Sequence, residues 1–380
     1  MSSGGSGDQD REAGTGPTYL DAASSEPLHP AARDTWSAAL EHGYADPRRL
    51  HGSARSSRLL LDNARAVVAE SLDVRPDEVT FTSSGTSAVH LGLLGLVQAR
   101  RTRGRVIVHS AVEHSAVLHA AQWGGEPVVV GVDSDGVVDS GDLLARANEP
   151  GVAVCALQSA NHEVGTIQPV GSIELPEGLP VFVDACASMG RLPLPDGWST
   201  VAGSAHKWGG PAGVGILLVR TGLRWENPFP ADDRADHRSS GFENVPAALA
   251  AAAALQAVVA ERDEVNARQH ALIDRIRAAA ATLPDTEVVG HPDQRLPHLV
   301  TFSCLYVNGE ALVTELDRRG FGVASGSACT ASTLEPSHVL AAMGALTHGN
   351  VRVSLTRTTT AEDVERFCAV LPDVVAAVRQ

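Results

Sequence analysis

Apolar residues run along the chain in two rhythms. Short, continuous, β-branched runs read as buried strands at Val79–Thr82, Val106–Val108, Val128–Val132, Val152–Leu157, Val181–Asp184 and Val214–Val219. Between them lie stretches with apolar residues at helical spacing, over 58–71, 87–99 and 112–121. Continuous apolar strands alternating with amphipathic helices predict an α/β unit with a mostly parallel sheet between layers of helix. Past residue 240 the texture changes. Residues 246–282 are dominated by alanine with charges at intervals, which predicts one long helix. Strands at Leu299–Phe302, Gly322–Ala324 and Val351–Leu355 follow, with helices over 309–319 and Ala361–Val378, the last capped by Thr360 or a neighbouring threonine. The pattern therefore divides the chain into a Gly/Ser-rich disordered tail (1–17), a large domain (18–245) and a smaller α+β domain (246–380). The stretch just after the tail is a candidate to join the smaller domain.

Composition narrows the function. The 380 residues carry a net charge of −15, from 30 basic and 45 acidic side chains, which argues against a dedicated nucleic-acid binder. No apolar run approaches the ~18–20 residues of a membrane span, and the first residues lack the apolar segment of a secretion signal. Five cysteines are too few and too scattered for a disulfide scaffold or a zinc site. The expectation is free thiols in a reducing, cytoplasmic setting, with no membrane partner and no metal.

Five segments at strand ends or in the turns after them carry candidate chemistry, and strand ends are where open α/β sheets bind ligands. Thr82-Ser83-Ser84-Gly85-Thr86-Ser87 lies between a strand and a helix, where backbone N–H groups and hydroxyls meet anions; a plain capping turn reads the same way. Asp184 closes an apolar strand, which is costly unless it meets a cation or a donor, or serves as a helix cap. Ser204-Ala205-His206-Lys207 precedes a Gly/Pro turn and another apolar strand. That is an unusual place for a solvated lysine and a suitable one for a Schiff-base lysine, with Ser204 and His206 as phosphate donors. His114 could stack on a cofactor ring and move protons, or merely cap a helix. Arg352, inside a β-patterned run, could clamp a carboxylate or sit in a surface ion pair. Together, phosphate turn, strand-end aspartate and Ser-x-His-Lys read as a pyridoxal-phosphate (PLP) site, with Asp184 keeping the pyridinium nitrogen protonated.

The sharpest feature is Ser325-Gly326-Ser327-Ala328-Cys329-Thr330, continued by Leu334-Glu335-Pro336-Ser337. Small polar company suits a nucleophilic thiol better than a packed one. Cys155, Cys186, Cys304 and Cys368 sit in or near apolar strands or on a helix, and are expected to be inert.

Here the chain resembles the cysteine desulfurases of the nitrogenase and iron–sulfur-assembly type, in the long-loop subgroup, within the class V aminotransferases of PLP fold type I. The resemblance runs from Tyr19-Leu20-Asp21 to the last helix. It implies a homodimeric, PLP-dependent enzyme converting L-cysteine to L-alanine, with sulfur passing to an acceptor protein or small molecule. It implies Lys207 as Schiff-base lysine, Cys329 as persulfide-forming cysteine, His114 as ring-stacking acid/base and Asp184 as pyridinium partner. Gly85, Thr86, Ser204 and His206 become phosphate-site residues, and Arg352 and Asn161 substrate ligands. Three positions depart from the family pattern. His162 stands where the family has a second Asn near cofactor and substrate. Ala187 replaces a Gln donor to the phenolic oxygen. Phe242 replaces a Thr lent to the neighbouring subunit's phosphate. Two rival readings remain: a PLP-dependent C–S β-lyase, which needs Lys207 but not Cys329, and a non-catalytic desulfurase-like scaffold that binds sulfur-accepting partners.

Overall fold

The computed structural model describes residues 16–230, 237–238, 241–325 and 336–379. Most of the expected disordered tail, and Cys329 with the heart of its loop, lie outside the described residues. In chain order the elements of the larger part are β1 (Thr18–Tyr19), α1 (Pro30–Leu40), α2 (Gly52–Leu72), β2 (Val79–Thr82), α3 (Gly85–Arg100), β3 (Val106–Ser110), α4 (Ser115–Gly124), β4 (Glu126–Val130), α5 (Ser140–Ala147), β5 (Val152–Ala156), β6 (Val181–Asp184), β7 (Thr200–Ser204) and β8 (Gly215–Val219). Then come α6 (Val245–Ala281), β9 (Thr286–Val289), β10 (Leu299–Cys304), α7 (Gly309–Arg318), β11 (Phe321–Gly322), α8 (His338–Ala342), β12 (Asn350–Ser354) and α9 (Ala361–Val378).

Among the described residues the main sheet has the order β2-β8-β7-β6-β5-β3-β4. All its strands run parallel except β8, which is antiparallel to both neighbours. Both faces are covered, so the inner strands read as unbroken apolar runs. Val183 and Cys155 face a core shared with α2 and the first half of α6. Phe182, Val154 and Ala156 face the core under α3 and α4. Gly92 of α3 lets that helix lie close on the sheet, since a Cβ there would come within 2.8 Å of the Phe182 ring.

Two boundaries shift for local reasons. β4 starts at Glu126, two residues before the apolar run, because it is an edge strand whose outer side tolerates Glu126 and Pro127. α4 starts at Ser115 rather than 112, because His114 caps it. β7 escapes the pattern entirely: its sequence, TVAGS, is built of small residues. Thr360 caps α9 in a reciprocal capping box with Asp363.

The C-terminal part packs the antiparallel sheet β12-β10-β9 against α7, α9 and the second half of α6. The start of the chain joins it: β1 pairs with β11, and Asp21 bridges to Ser354. α6 begins at the expected domain boundary, but Val245–Leu255 pack in the large core while Leu272, Ile273 and Ile276 pack in the small one. This helix is common to both parts and holds the seam on which the candidate site lies.

Candidate active site

Lys207 ends a single tight turn, residues 205–207, that leaves the C-terminal end of β7. The turn is tied down from several sides. Trp208 is buried and donates its indole N–H to the Ala251 carbonyl of α6 (3.1 Å). Glu26 N–H donates to the His206 carbonyl (2.8 Å), and Gly209 takes φ +82° where the chain reverses. Lys207 is half-buried, on a rigid support.

Asp184 ends the neighbouring strand β6, buried, and accepts from the Cys186 N–H (2.9 Å). A carboxylate offers about four lone-pair positions, so capacity remains for a ring nitrogen. The Ser204 hydroxyl and His206 Nδ1 share a hydrogen bond of 3.1 Å. Facing them is the first turn of α3, capped by the Ser84 side chain, which accepts from Ser87 N–H (3.0 Å). Gly85 makes the approach possible: a Cβ there would stand 2.6 Å from Ser204 Cβ and 3.2 Å from Cys186 Sγ. Thr86 is exposed on the same turn. A helix N-terminus, two hydroxyls and an imidazole around a glycine make an anion cradle. These residues fit PLP: phosphate at the cradle, ring nitrogen at Asp184, carbonyl carbon at Lys207.

His114 does two jobs at once. It is the N-cap of α4, its Nδ1 accepting from Ala116 N–H (3.1 Å). The ring is therefore neutral with its proton on Nε2. Burial lowers its pKa, opposed by Asp184 and reinforced by Lys207. Its ring meets that of His162 edge to face, centroids 4.9 Å apart. His162 is buried and its pKa is pushed well below the usual value, by burial first and then by His114, Lys207 and Arg352. Its Nδ1 has no hydrogen-bond partner.

Asn161, expected as a substrate ligand, lies in the turn before His162. It is fully buried, its Oδ1 accepting from the Glu163 and Val164 N–H groups (2.8 and 2.9 Å) and its Nδ2 donating to the Val112 carbonyl (3.0 Å). The amide braces the turn that presents His162. Arg352 is buried on β12. Its Nη2 donates to Asp21 Oδ1 (3.0 Å) and Ser24 Oγ (2.6 Å), and its Nη1 to the His162 carbonyl (3.1 Å). Its backbone pairs with Ala324 at the entrance to the cysteine loop. At the loop's exit, Ser337 Oγ donates to Glu163 Oε2 (2.6 Å) and His338 Nε2 lies 2.9 Å from the Glu113 carbonyl. Burial raises the pKa of both Glu113 and Glu163.

Glu113, whose place beside His114 the sequence marked, joins the site, and so do Glu163, His298 and His338, which were not singled out for it. Glu163 was legible only as the residue after His162. His298, just ahead of β10, had no local signal at all. The described thiols behave as expected: burial pushes Cys155 up to about 12, Cys186 well above the ordinary range, and Cys304 and Cys368 upward. Phe242, replacing the family's threonine, is exposed.

Residues 18–367 match the aminotransferase class-V family model. The chain is 32% identical to the cysteine desulfurase IscS of Methanosarcina thermophila, over 95% of this chain and 92% of the relative. It is 36% identical to the IscS-like cysteine desulfurase of Mycobacterium tuberculosis, over 95% and 97%. Among solved structures a NifS-like protein superposes with a TM-score of 0.87 at 26% identity, covering 95% of this chain and all of that one.

Proposed function

The chain belongs to the class-V aminotransferase family and is a cysteine desulfurase, an enzyme of PLP fold type I; on that premise we propose how its own residues divide the reaction. The observation that carries the proposal is a convergence in space: Lys207 leaves β7 beside Asp184 on the neighbouring β6, Lys207 and His162 line one cavity, and the His162 ring meets that of His114, next to the Gly85–Ser204–His206 cradle. Bound there, PLP supplies an electron sink that makes the substrate's α-proton removable. Gly85, Thr86, Ser204 and His206 hold its phosphate, Asp184 its ring nitrogen and Lys207 its aldehyde carbon. Lys207 is the base that would take the substrate's α-proton. The L-cysteine carboxylate lies toward Arg352 and His162. His114 donates from Nε2; taking up a second proton requires its Nδ1 to release Ala116 N–H. The Cys329 thiolate attacks the substrate sulfur: the S–S bond forms, the Cβ–S bond breaks, and its electron pair stays with the carbon skeleton that becomes L-alanine. The persulfide then serves a protein or small-molecule acceptor.

We further propose a homodimer, with the segment around Phe242 as the cross-subunit loop, and a cytoplasmic location. α6 is long and apolar enough to cross a membrane, but 56% of its most apolar window is buried between the two cores, which supports a core helix. PLP is held less firmly than is usual in the family. Ala187 and Phe242 offer no side-chain donor, at about 1.5–3 kcal/mol for each charged hydrogen bond not replaced. Full retention of PLP through dialysis would show that other groups compensate. The deciding experiment on the chemistry is Cys329→Ser. It keeps bound PLP and the spectral response to L-cysteine, and releases almost no alanine. Near-wild-type breakdown of cysteine by that variant, with pyruvate as product, would make the protein a β-lyase.

A further inference from the structure

His298 is buried at the seam between the two parts of the molecule, just before β10. Its backbone carbonyl accepts from Leu355 N–H (2.8 Å), which locks it beside the strand that carries Arg352. Its imidazole Nδ1 is buried with no hydrogen-bond partner. Leaving such a group unpaired costs stability, so an orphaned one calls for an explanation. His298 lines a small cavity together with His162, Ala187 and Lys207, and Leu299 closes it. None of Gly85, Ser204, His206 or Asp184 lines that cavity, so at Lys207 it is set apart from the cradle.

The surroundings say what chemistry fits. Lys207, Arg352 and Arg191 all lie close enough to oppose a positive charge on His298, which burial already keeps neutral. Beside the cavity, His162 Nδ1 and Arg352 Nε are buried and unpartnered as well. A neutral imidazole keeps one N–H, and the guanidinium Nε–H can only donate. Donors next to the lysine that receives the substrate amine suit a carboxylate.

Resting on the cysteine desulfurase reading, we propose that His298 is a substrate-binding residue that donates from Nδ1 to the α-carboxylate of the amino acid. The small part of the molecule thus contributes two groups to the carboxylate, His298 from the turn before β10 and Arg352 from the adjoining strand β12. Ala187 leaves the room in which they meet it.

The test is an equilibrium titration of the PLP-loaded protein, read by its absorbance shift without turnover. L-Alanine carries the carboxylate and ethylamine lacks it. His298→Ala should weaken L-alanine about ten- to a hundredfold and leave ethylamine unchanged. His298→Asn, which sets an amide N–H near the position of Nδ1, should recover most of that loss. Equal losses for both ligands, or no loss for either, would overturn the role of His298. A wild-type protein that gives no shift with L-alanine would overturn the Lys207 site reading together with it. PLP content and melting temperature measured alongside separate loss of the ligand contact from loss of fold.

Discussion

On the side of the site built from strand ends, most polar groups find one another, Glu113 Oε2 being a buried exception. Asp184 accepts from Cys186 N–H, Ser204 pairs with His206, and Ser84 caps the helix whose first turn completes the cradle. On the side that faces the small part of the molecule, three buried nitrogens, His162 Nδ1, His298 Nδ1 and Arg352 Nε, have no partner. The first side is largely paired by folding. The second retains unpaired polar nitrogens, which a substrate carboxylate would meet on binding. The cost of orphaned donors, about 1–3 kcal/mol each, is borne by the extensive apolar cores on either side.

Changing Lys207, which stands between the two sides, should have the largest effect. Lys207→Ala should abolish alanine release altogether, because both the covalent attachment point and the base are lost; any sustained turnover would remove Lys207 from the chemistry. Next comes the unfinished side. Arg352→Ala should raise KM for L-cysteine roughly a hundredfold with kcat little changed, the pattern of binding shared equally by ground and transition states. It should also lower the melting temperature, since Asp21 and Ser24 lose their partner. An unchanged KM would move the carboxylate elsewhere.

The finished side should answer to sterics instead. Gly85→Ala puts a methyl group 2.8 Å from Ser204 Oγ. Moving Ser204 aside should weaken PLP binding about tenfold and cost about 1–3 kcal/mol of stability, checked by PLP titration of the apoprotein and by denaturant unfolding. Wild-type PLP affinity in that variant would mean the cradle is not where phosphate binds.

The smallest effect concerns protons. His109, His114, His162 and His298 all have folded pKa values below 6.5, burial being the first cause in each. Below about pH 6.5 the unfolded chain therefore binds more protons than the native one, and stability falls as pH falls toward the folded values. The slope is about 1.4 kcal/mol per pH unit for each such histidine. His162→Asn should make that acid-side slope shallower in a pH series of urea unfolding curves. An identical slope would mean that His162 is not held neutral in the native protein.

How much of this could be read from the chain depends on where each signal resides. Local patterns determined the alternating strands and helices, the cap at Thr360 and the strand-end placement of Asp184, because burial on two faces and backbone capping leave marks within a few neighbouring residues. The turn after β7 marked Lys207 for the same reason, through a short motif whose members all serve one turn. The tertiary structure decided the rest. That Asn161 spends its amide on a turn, that α6 belongs to both cores, and that the first strand joins the last sheet follow from contacts between residues far apart in sequence. His298 is the clearest case. Nothing near it distinguishes it from an ordinary histidine, and it enters the site only because the seam between the two parts brings it to the cavity beside Lys207, 91 positions earlier in the chain.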